Sequence, residues 1–505
     1  MALVLVLAAC SGAGGGNTAA GTSLRYGYDF SAQFTNTFDP AKSNGNCDDI
    51  VLTRIYDTLV HLDADNQLQP GLATSWVVSP DVKALTLTLR PGVQFQDGEV
   101  LDSAAVKQGL LHNKPNPQLL DLHSIDTIDT PDAATVHVNL KDQTAVRLLY
   151  GLYGREGEIV APKAIKTAGK HPVGAGPFSF ESYDPGSNVS LKAYDGYWDK
   201  GAYQLKGLQF VQVGTGPPAV TALEAHNVDL IRFEAESLDR LSHTAGIGVS
   251  KTSSGAYLQF EMRLSPTSPF SDLKVRQAME YAINRDEDNK IALAGQGEVA
   301  SQGFPMGSPV YDPALANTYS YNTDTAKQLL SQSSKPNGFE FTMIIPGGNI
   351  ANMERQAKVI VDDLAKIGVT AHVKRIPASD IATGYYISRQ GDAFAAAELS
   401  DPLSANKLYD NFGKFQFVAI YNDAERQDLT DISKQAFATS DINQAKVFVK
   451  QGEKIVVDQA LEVPIAFMPQ FIAYDKARVG GDPKAANDIC TPPDLRNTSI
   501  KGKAK

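Results

Sequence analysis

The pattern most suggestive of covalent chemistry is a Ser-x-x-Lys pair, Ser271 and Lys274. One class of serine hydrolases uses this spacing to place a nucleophilic hydroxyl beside a lysine, but it also needs Ser-Asp-Asn and Lys-Thr-Gly sequences. The nearest match here is Lys251-Thr252-Ser253, and the chain has no Gly-x-Ser-x-Gly turn. A surface-anchored serine hydrolase is therefore an alternative without its supporting motifs, and we expect the protein not to be an enzyme.

The sequence also has no motif typical of a metal-binding or phosphate-binding site. The 8 histidines are scattered, and none lies at the i, i+4 spacing of a helical zinc site. The segment from Gly174 to Phe178 is rich in glycine, but no Gly-Lys-Ser/Thr follows to complete a phosphate-binding loop. We expect no cofactor and no metal, and we interpret these glycines as turn residues.

Length and composition narrow the class of protein. A chain of 505 residues exceeds the size at which one hydrophobic core keeps growing, which predicts two or more lobes. With 43% hydrophobic and 20% charged residues, the composition is that of a globular protein. The net charge of −11 argues against nucleic acid and anionic lipid surfaces as partners, because both require clustered cations.

The elements that would position a site can be predicted from local patterns. Leu85, Leu87 and Leu89 alternate with threonines, which predicts a half-buried strand. Asp97-Gly98 then predicts a tight turn. Asp102 or Ser103 can cap a helix whose apolar face we expect to contain Val106, Leu110 and Leu111.

A later region predicts a strand, a helix and a second strand. Residues 339–345 alternate, apolar residues recur at helical spacing over 357–367, and residues 369–373 alternate again after Gly368. This order predicts a parallel strand pair joined by a right-handed crossover, and so an α/β lobe. Upstream, Ser271 or Asp272 can cap a helix with Val275, Met279 and Ala282 on one face.

The N-terminus resembles the lipobox of bacterial lipoproteins. A short apolar run ends in Leu7-Ala8-Ala9, directly before Cys10. It is too short to span a bilayer, which takes about 20 residues. Small and polar residues follow it, which is typical of a flexible tether. The resemblance implies that Cys10 is the lipidation site.

The two remaining cysteines, Cys47 and Cys490, form an even pair in a compartment that permits disulfides. A bridge between them would tie the two ends of the chain together and stabilise the fold by several kcal/mol. Two unpaired buried thiols are the alternative.

Several motifs together resemble the peptide/nickel class, family 5, of the extracellular solute-binding proteins that serve ABC importers. They are Tyr56–Val60, Pro70–Trp76, Arg90–Gly98, the Gly-Ala-Gly-Pro-Phe segment ending at Phe178, and Pro269–Arg285. The resemblance implies an α/β, periplasmic-binding-protein-like two-lobe fold of type II, cluster C, with an extra subdomain inserted in lobe I. It implies the following division: 1–9 signal remnant, 10–23 tether, 24–258 lobe I with the insertion at about 51–173, 259–470 lobe II, and 471–505 return to lobe I.

The resemblance also implies ligand-binding residues. In peptide-binding members a segment ending in Asp-Pro supplies an acid that pairs with the α-amino group of the ligand. Aligning on Asp401-Pro402 places Glu398 at that position, although the family's Trp and Tyr are absent here. Tyr257 at the lobe crossing, and Phe38 and Asn44 in the loop after the first strand, are the other candidates. Glu398 as a solvated loop acid and Asp401 as a turn residue are the alternatives.

The function implied is capture of an oligopeptide or dipeptide between the lobes and delivery to an ABC permease. Within the same receptor role, a nickel chelate, an opine, haem or an oligosaccharide is an alternative cargo. We expect a monomer on the outer face of a bacterial cytoplasmic membrane, which it contacts only through the lipid anchor.

Overall fold

The fold is described from a computed structural model. It describes residues 22–30, 34, 37–43, 46–63, 67–253, 255–347, 351–377, 380–398, 404–412, 426–439, 441–486 and 490–501. Cys10, Asn44 and Asp401 lie outside the described residues, as does nearly all of the predicted tether.

The strands are β1 (Ser23–Tyr28), β2 (Val60–Leu62), β3 (Leu68–Pro70), β4 (Ala73–Val78), β5 (Ala84–Leu89), β6 (Ile125–Asp132), β7 (Thr135–Leu140), β8 (Phe178–Asp184), β9 (Asn188–Ala193), β10 (Gly207–Gln212), β11 (Leu230–Phe233), β12 (Ile247–Thr252), β13 (Tyr257–Met262), β14 (Glu298–Val299), β15 (Phe339–Gly347), β16 (Val369–Pro377), β17 (Ala393–Glu398), β18 (Glu462–Phe467), β19 (Gln470–Asp475), β20 (Val479–Gly481) and β21 (Thr498–Ile500).

The α-helices are α1 (Asp49–Ile55), α2 (Ser103–Asn113), α3 (Ala145–Gly151), α4 (Pro217–Glu224), α5 (Leu238–His243), α6 (Leu273–Ala282), α7 (Arg285–Ala292), α8 (Thr323–Ser331), α9 (Ala351–Ala365), α10 (Ser404–Phe412), α11 (Gln427–Phe437) and α12 (Ile442–Asp458). Short 3₁₀ turns lie at Asn46–Asp48, Leu120–Ser124, Arg155–Gly157, Pro162–Ala164, Ala235–Ser237, Pro269–Ser271 and Pro313–Leu315, and a π turn at Ala382–Ile387.

Two large sheets organise the molecule. Lobe I is built on a seven-stranded sheet in the order β12-β19-β11-β1-β10-β9-β8, in which β1 runs parallel to both β10 and β11. Lobe II is built on a six-stranded sheet in the order β14-β18-β13-β17-β15-β16. The predicted crossover unit lies in lobe II, where β15 and β16 pair in parallel from Phe339 opposite Val369, with α9 between them.

A four-stranded antiparallel sheet, in the order β4-β5-β7-β6, forms a separate layer within the lobe I sequence. The predicted alternation is present, since Leu85 and Leu87 are fully buried in β5. The side chain of Asp102 caps α2 by accepting from the Ala105 N–H. One expectation was wrong: Leu111 is 44% exposed, because it lies one residue past the buried face that holds Val106 and Leu110.

The chain passes between the two large sheets at two neighbouring points. It leaves lobe I at the end of β12 and enters lobe II at Tyr257, the first residue of β13. It returns between Phe467, the last residue of β18, and Gln470, the first residue of β19. Because Tyr257 pairs with Phe467 and Thr252 pairs with Gln470, the two connections lie side by side, as in a hinge.

The C-terminal segment packs on lobe I. A disulfide joins Cys47 to Cys490 and closes a loop with a sequence separation of 443 residues. Next to it, the Arg54 guanidinium donates to the Pro493 carbonyl at 2.8 Å. No helix in the described part of the chain is both long and apolar enough to cross a membrane.

Candidate functional site

The edges of the two sheets that face each other can be identified from the chain path. In lobe II, Glu398 ends β17 and pairs with Tyr257 at the start of β13, so both lie at the edge where the chain crosses. In lobe I, the parallel strands β1, β10 and β11 all end at the edge facing lobe II. Open α/β sheets bind ligands outside the carboxyl ends of their strands. The geometry therefore places a site between these two edges.

An ionic contact joins the two edges. Arg355, near the start of α9, donates to both carboxylate oxygens of Glu236, just after β11, at 3.2 Å and 3.2 Å. Its guanidinium also lies 3.7 Å from the Glu234 carboxylate. Burial and the neighbouring Glu236 raise the pKa of Glu234 to about 7, and Arg355 only partly offsets them.

Glu398 is held by two side-chain amides. Gln259 donates to one carboxylate oxygen at 3.1 Å, and Asn411 of α10 donates to the other at 2.9 Å. Glu398 is partly exposed, whereas Gln259 is 2% exposed. Each carboxylate oxygen accepts a hydrogen bond from a neutral amide, and these two bonds orient the carboxylate.

Behind Glu398 lies a buried ionic network centred on Lys407. The ammonium donates to Glu462 at 2.5 Å and lies 3.7 Å from Glu453, which accepts the Gly303 N–H at 2.6 Å. Burial lowers the pKa of Lys407, but attraction to Glu453, Glu462 and Glu398 outweighs burial and leaves the pKa raised. Burial raises the pKa of Glu453 despite Lys407.

Tyr257 belongs to this network. Its side chain is 1% exposed, its hydroxyl donates to Glu462 at 3.1 Å, and its ring lies 5.2 Å from the Lys407 ammonium. Burial and the nearby Glu462 raise the pKa of Tyr257 well above its usual value. The structure therefore places Tyr257 behind Glu398, where it connects the strand edge to Lys407.

Phe38 lies in lobe I, in a separate aromatic cluster. It is fully buried, with its ring centroid 5.0 Å from that of Phe180 and 5.3 Å from that of Tyr183. Its carbonyl accepts from the Tyr56 hydroxyl at 2.8 Å. The next residue, Asp39, accepts from His112 Nε2 at 2.7 Å. Burial would raise the pKa of Asp39, but His112 and Lys42 hold it below its usual value.

The structure thus brings Tyr257 and Glu398 together and places Phe38 in the other lobe. Ser271 is exposed in a 3₁₀ turn directly before α6, whose cap is Asp272, and the Lys274 ammonium donates to Gln332 at 3.2 Å. No group of three or more histidine, cysteine, aspartate or glutamate side chains suited to a metal ion is found within the described ranges.

Sequence reasoning missed Gln259, Asn411 and Lys407. Gln259 follows Tyr257 by two residues and therefore faces the same side of β13 as Tyr257, which was a usable signal. Glu462, an acid at the start of an otherwise apolar strand, indicated indirectly that a cation such as Lys407 lies nearby. A buried carboxylate requires such a partner.

Comparison with known proteins identifies the family. Residues 67–416 match the model for bacterial extracellular solute-binding proteins, family 5 Middle. The chain belongs to this family. As a family 5 protein, it is an extracellular or periplasmic solute-binding receptor that works with an ABC permease, and its fold is the predicted two-lobe α/β fold. The family consists of transport proteins rather than enzymes.

Individual relatives of this family 5 chain bind different molecules. The glutathione-binding protein GsiB of Salmonella typhimurium strain LT2 is 26% identical over 468 residues, covering 88% of this chain and 89% of the relative. AgaA from A. tumefaciens R10, solved with agropinic acid, is 26% identical with a TM-score of 0.80, covering 95% of this chain and 99% of AgaA. The dipeptide-binding protein from Pseudoalteromonas sp. SM9913, solved with Met-Leu, is 20% identical with a TM-score of 0.81, covering 95% and 100%. The last likeness concerns the fold alone.

Proposed function

We propose that this family 5 receptor captures a small peptide, an oligopeptide or dipeptide, and that Glu398 binds the α-ammonium group of the peptide. The observation that carries the proposal is the position of Glu398, an oriented and partly exposed carboxylate at the carboxyl end of β17 on the edge facing lobe I. The name of GsiB supports a peptide-like cargo.

The local charge favours a cationic group over an anionic one. Glu398, Glu453 and Glu462 all act on the single ammonium of Lys407. A cargo ammonium placed beside Glu398 adds a second positive charge to this acidic cluster, and charge-assisted hydrogen bonds of this kind are the stronger ones. A carboxylate at the same place would be repelled.

Capture requires closure of the lobes around the cargo. The two adjacent connections at Tyr257 and Phe467 form a hinge, and the contact between Arg355 and Glu236 is one that closure would make or keep. A ligand shifts such an equilibrium only by its differential affinity for the closed form. We further propose a monomer tethered to the outer face of the membrane through Cys10, with lobe boundaries near 258 and 470.

The proposal is tested by replacing Glu398 with Gln, which keeps the shape and removes the charge. Small molecules that co-purify with the protein are identified by mass spectrometry, and their affinity is measured by calorimetry. We expect Glu398→Gln to weaken an amine-bearing cargo by about 1–3 kcal/mol, the range for a hydrogen bond to a charged group. Glu340→Gln, an exposed acid elsewhere in lobe II, is the matched control.

The opine alternative has a specific observation in its favour, because AgaA was solved with agropinic acid. The same experiment separates the two. Unchanged or tighter binding in Glu398→Gln would remove Glu398 from an ammonium site and favour an anionic cargo.

A further inference from the structure

Lobe I contains an open cavity of about 990 Å³, and the described candidates Phe38, Tyr257 and Glu398 are not among its lining residues. We call it the lobe I pocket. Its lining includes Phe30 and Gln212, which lie just after β1 and at the end of β10. These two residues place part of the pocket at the carboxyl ends of two parallel strands, the edge of the sheet at which β12 also ends before the chain passes to lobe II. Its volume is that of a small-molecule site.

Three aromatic side chains form part of the wall of the pocket. Phe30, Phe180 and Tyr183 line it, and Phe180 and Tyr183 are backed by the buried ring of Phe38. The Gln212 side chain accepts from the Phe30 N–H at 2.8 Å and donates to Asp29 at 3.2 Å. These contacts fix the walls before any ligand arrives, and a pre-formed pocket loses little conformational entropy on binding.

The rim of the pocket carries both signs of charge. Lys170, Glu181 and the neighbouring His171 line the pocket and are exposed, and no ion pair of Lys170 or Glu181 is found within the described part of the chain. Since the two charges oppose each other, the rings rather than a net charge determine which group enters. Aromatic side chains prefer edge-to-face or offset contacts with such rings.

We propose that the lobe I pocket receives a bulky aromatic side chain of the cargo. This inference rests on the proposed function, in which the cargo is a peptide whose ammonium group is bound at Glu398 on the opposite lobe. Glu398 would then recognise what all peptides share, while the lobe I pocket would distinguish one peptide from another.

The experiment compares Ala-Ala with Phe-Ala and Ala-Phe by calorimetry. We expect at least one aromatic dipeptide to bind the wild-type protein about ten- to a hundredfold more tightly than Ala-Ala, as burial of a phenyl group implies. Ser182 also lines the pocket, so Ser182→Trp should fill it and remove this preference while leaving the affinity for Ala-Ala within about threefold. Ser187→Trp is the matched control, because Ser187 is exposed on the same hairpin and does not line the pocket.

A preference that survives Ser182→Trp, or the absence of any preference in the wild-type protein, overturns the inference even if Glu398→Gln shows that the peptide proposal is right. If no dipeptide binds, the peptide proposal fails, and the pocket is tested by fluorescence titration with 8-anilinonaphthalene-1-sulfonate. Ser182→Trp should then weaken binding of this aromatic probe at least about tenfold relative to Ser187→Trp. Equal affinity in the two variants, or no binding to the wild-type protein, overturns the inference.

Discussion

The two lobes place different kinds of side chain behind the edges that face the cleft. In lobe II, the strand edge at Glu398 is backed by buried charges on Lys407, Glu453 and Glu462. In lobe I, the corresponding edge is backed by the rings of Phe30, Phe38 and Phe180. Charged groups bind through fixed distances and angles, whereas rings tolerate a range of contacts.

The difference suggests that the two edges recognise different groups of the cargo and that they differ in how much a single substitution destabilises them. A buried carboxylate left without its partner is costly, since the desolvated charge has no compensation. A ring that loses one neighbour loses only that packing contact. The edge of lobe II should therefore be the more sensitive of the two to single substitutions.

The most direct test of this contrast is Lys407→Met, which keeps the approximate length of the side chain and removes the charge. Glu462 and Glu453 would be left buried without their cation, so we expect the free energy of unfolding to fall by about 3–5 kcal/mol. Urea denaturation followed by circular dichroism measures this loss. Lys327→Met, at an exposed lysine in the same lobe, should change it by no more than about 0.5 kcal/mol. Equal effects in the two variants would show that the network adds nothing to stability.

A smaller effect is expected from Gly303→Ala, which tests how closely the network is packed. A Cβ atom at position 303 would lie 1.3 Å from the Lys407 ammonium, so the lysine would have to move away from Glu462. We expect a loss of about 1–3 kcal/mol by the same urea measurement, the usual range for overpacking.

Gly307→Ala is the matched control for this change, because a Cβ atom there would meet no atom within 4 Å. If both alanine variants unfold at the same urea concentration as the wild-type protein, Lys407 has room to move and the network is looser than the structure indicates.

Local elements could be predicted from the sequence because neighbouring residues determine them. Asp272 does cap α6, and the alternation around Phe341 and Val369 does form a parallel pair. Val373 is an exception at 36% exposure, since β16 is an edge strand whose outer residues meet solvent.

The candidate site was less accessible to sequence reasoning because its contacts join distant parts of the chain. Gly303, Lys407, Glu453 and Glu462 meet through the packing of separate elements, and no local spacing indicates that they do. Glu398 was found only through the resemblance to the family. The aromatic wall of lobe I was missed because Phe30 and Phe180 are 150 positions apart and each is typical of a core residue.

The last expected effect concerns the seam between the lobes at Arg355, where lobe I contributes the acids Glu234 and Glu236 instead of rings. The pKa of Glu234 is raised to about 7 by burial and by Glu236. The folded protein therefore holds this proton more tightly than the unfolded chain, in which a glutamate titrates near about 4.3. Stability from this group is fully present below that unfolded value and is lost as the pH rises through about 7.

Glu234→Gln should remove this titration, so the decline in the free energy of unfolding between about pH 5 and pH 8 should shrink by about 2–3 kcal/mol. Urea midpoints at the two pH values measure it, with Glu181→Gln, at an exposed acid of lobe I, as the control variant. A decline identical in wild type and Glu234→Gln would mean that the Glu234 carboxylate titrates alike in the folded and unfolded chains. The bidentate contact of Arg355 with Glu236 would then act independently of the protonation of Glu234, and closure of the lobes would not depend on that proton.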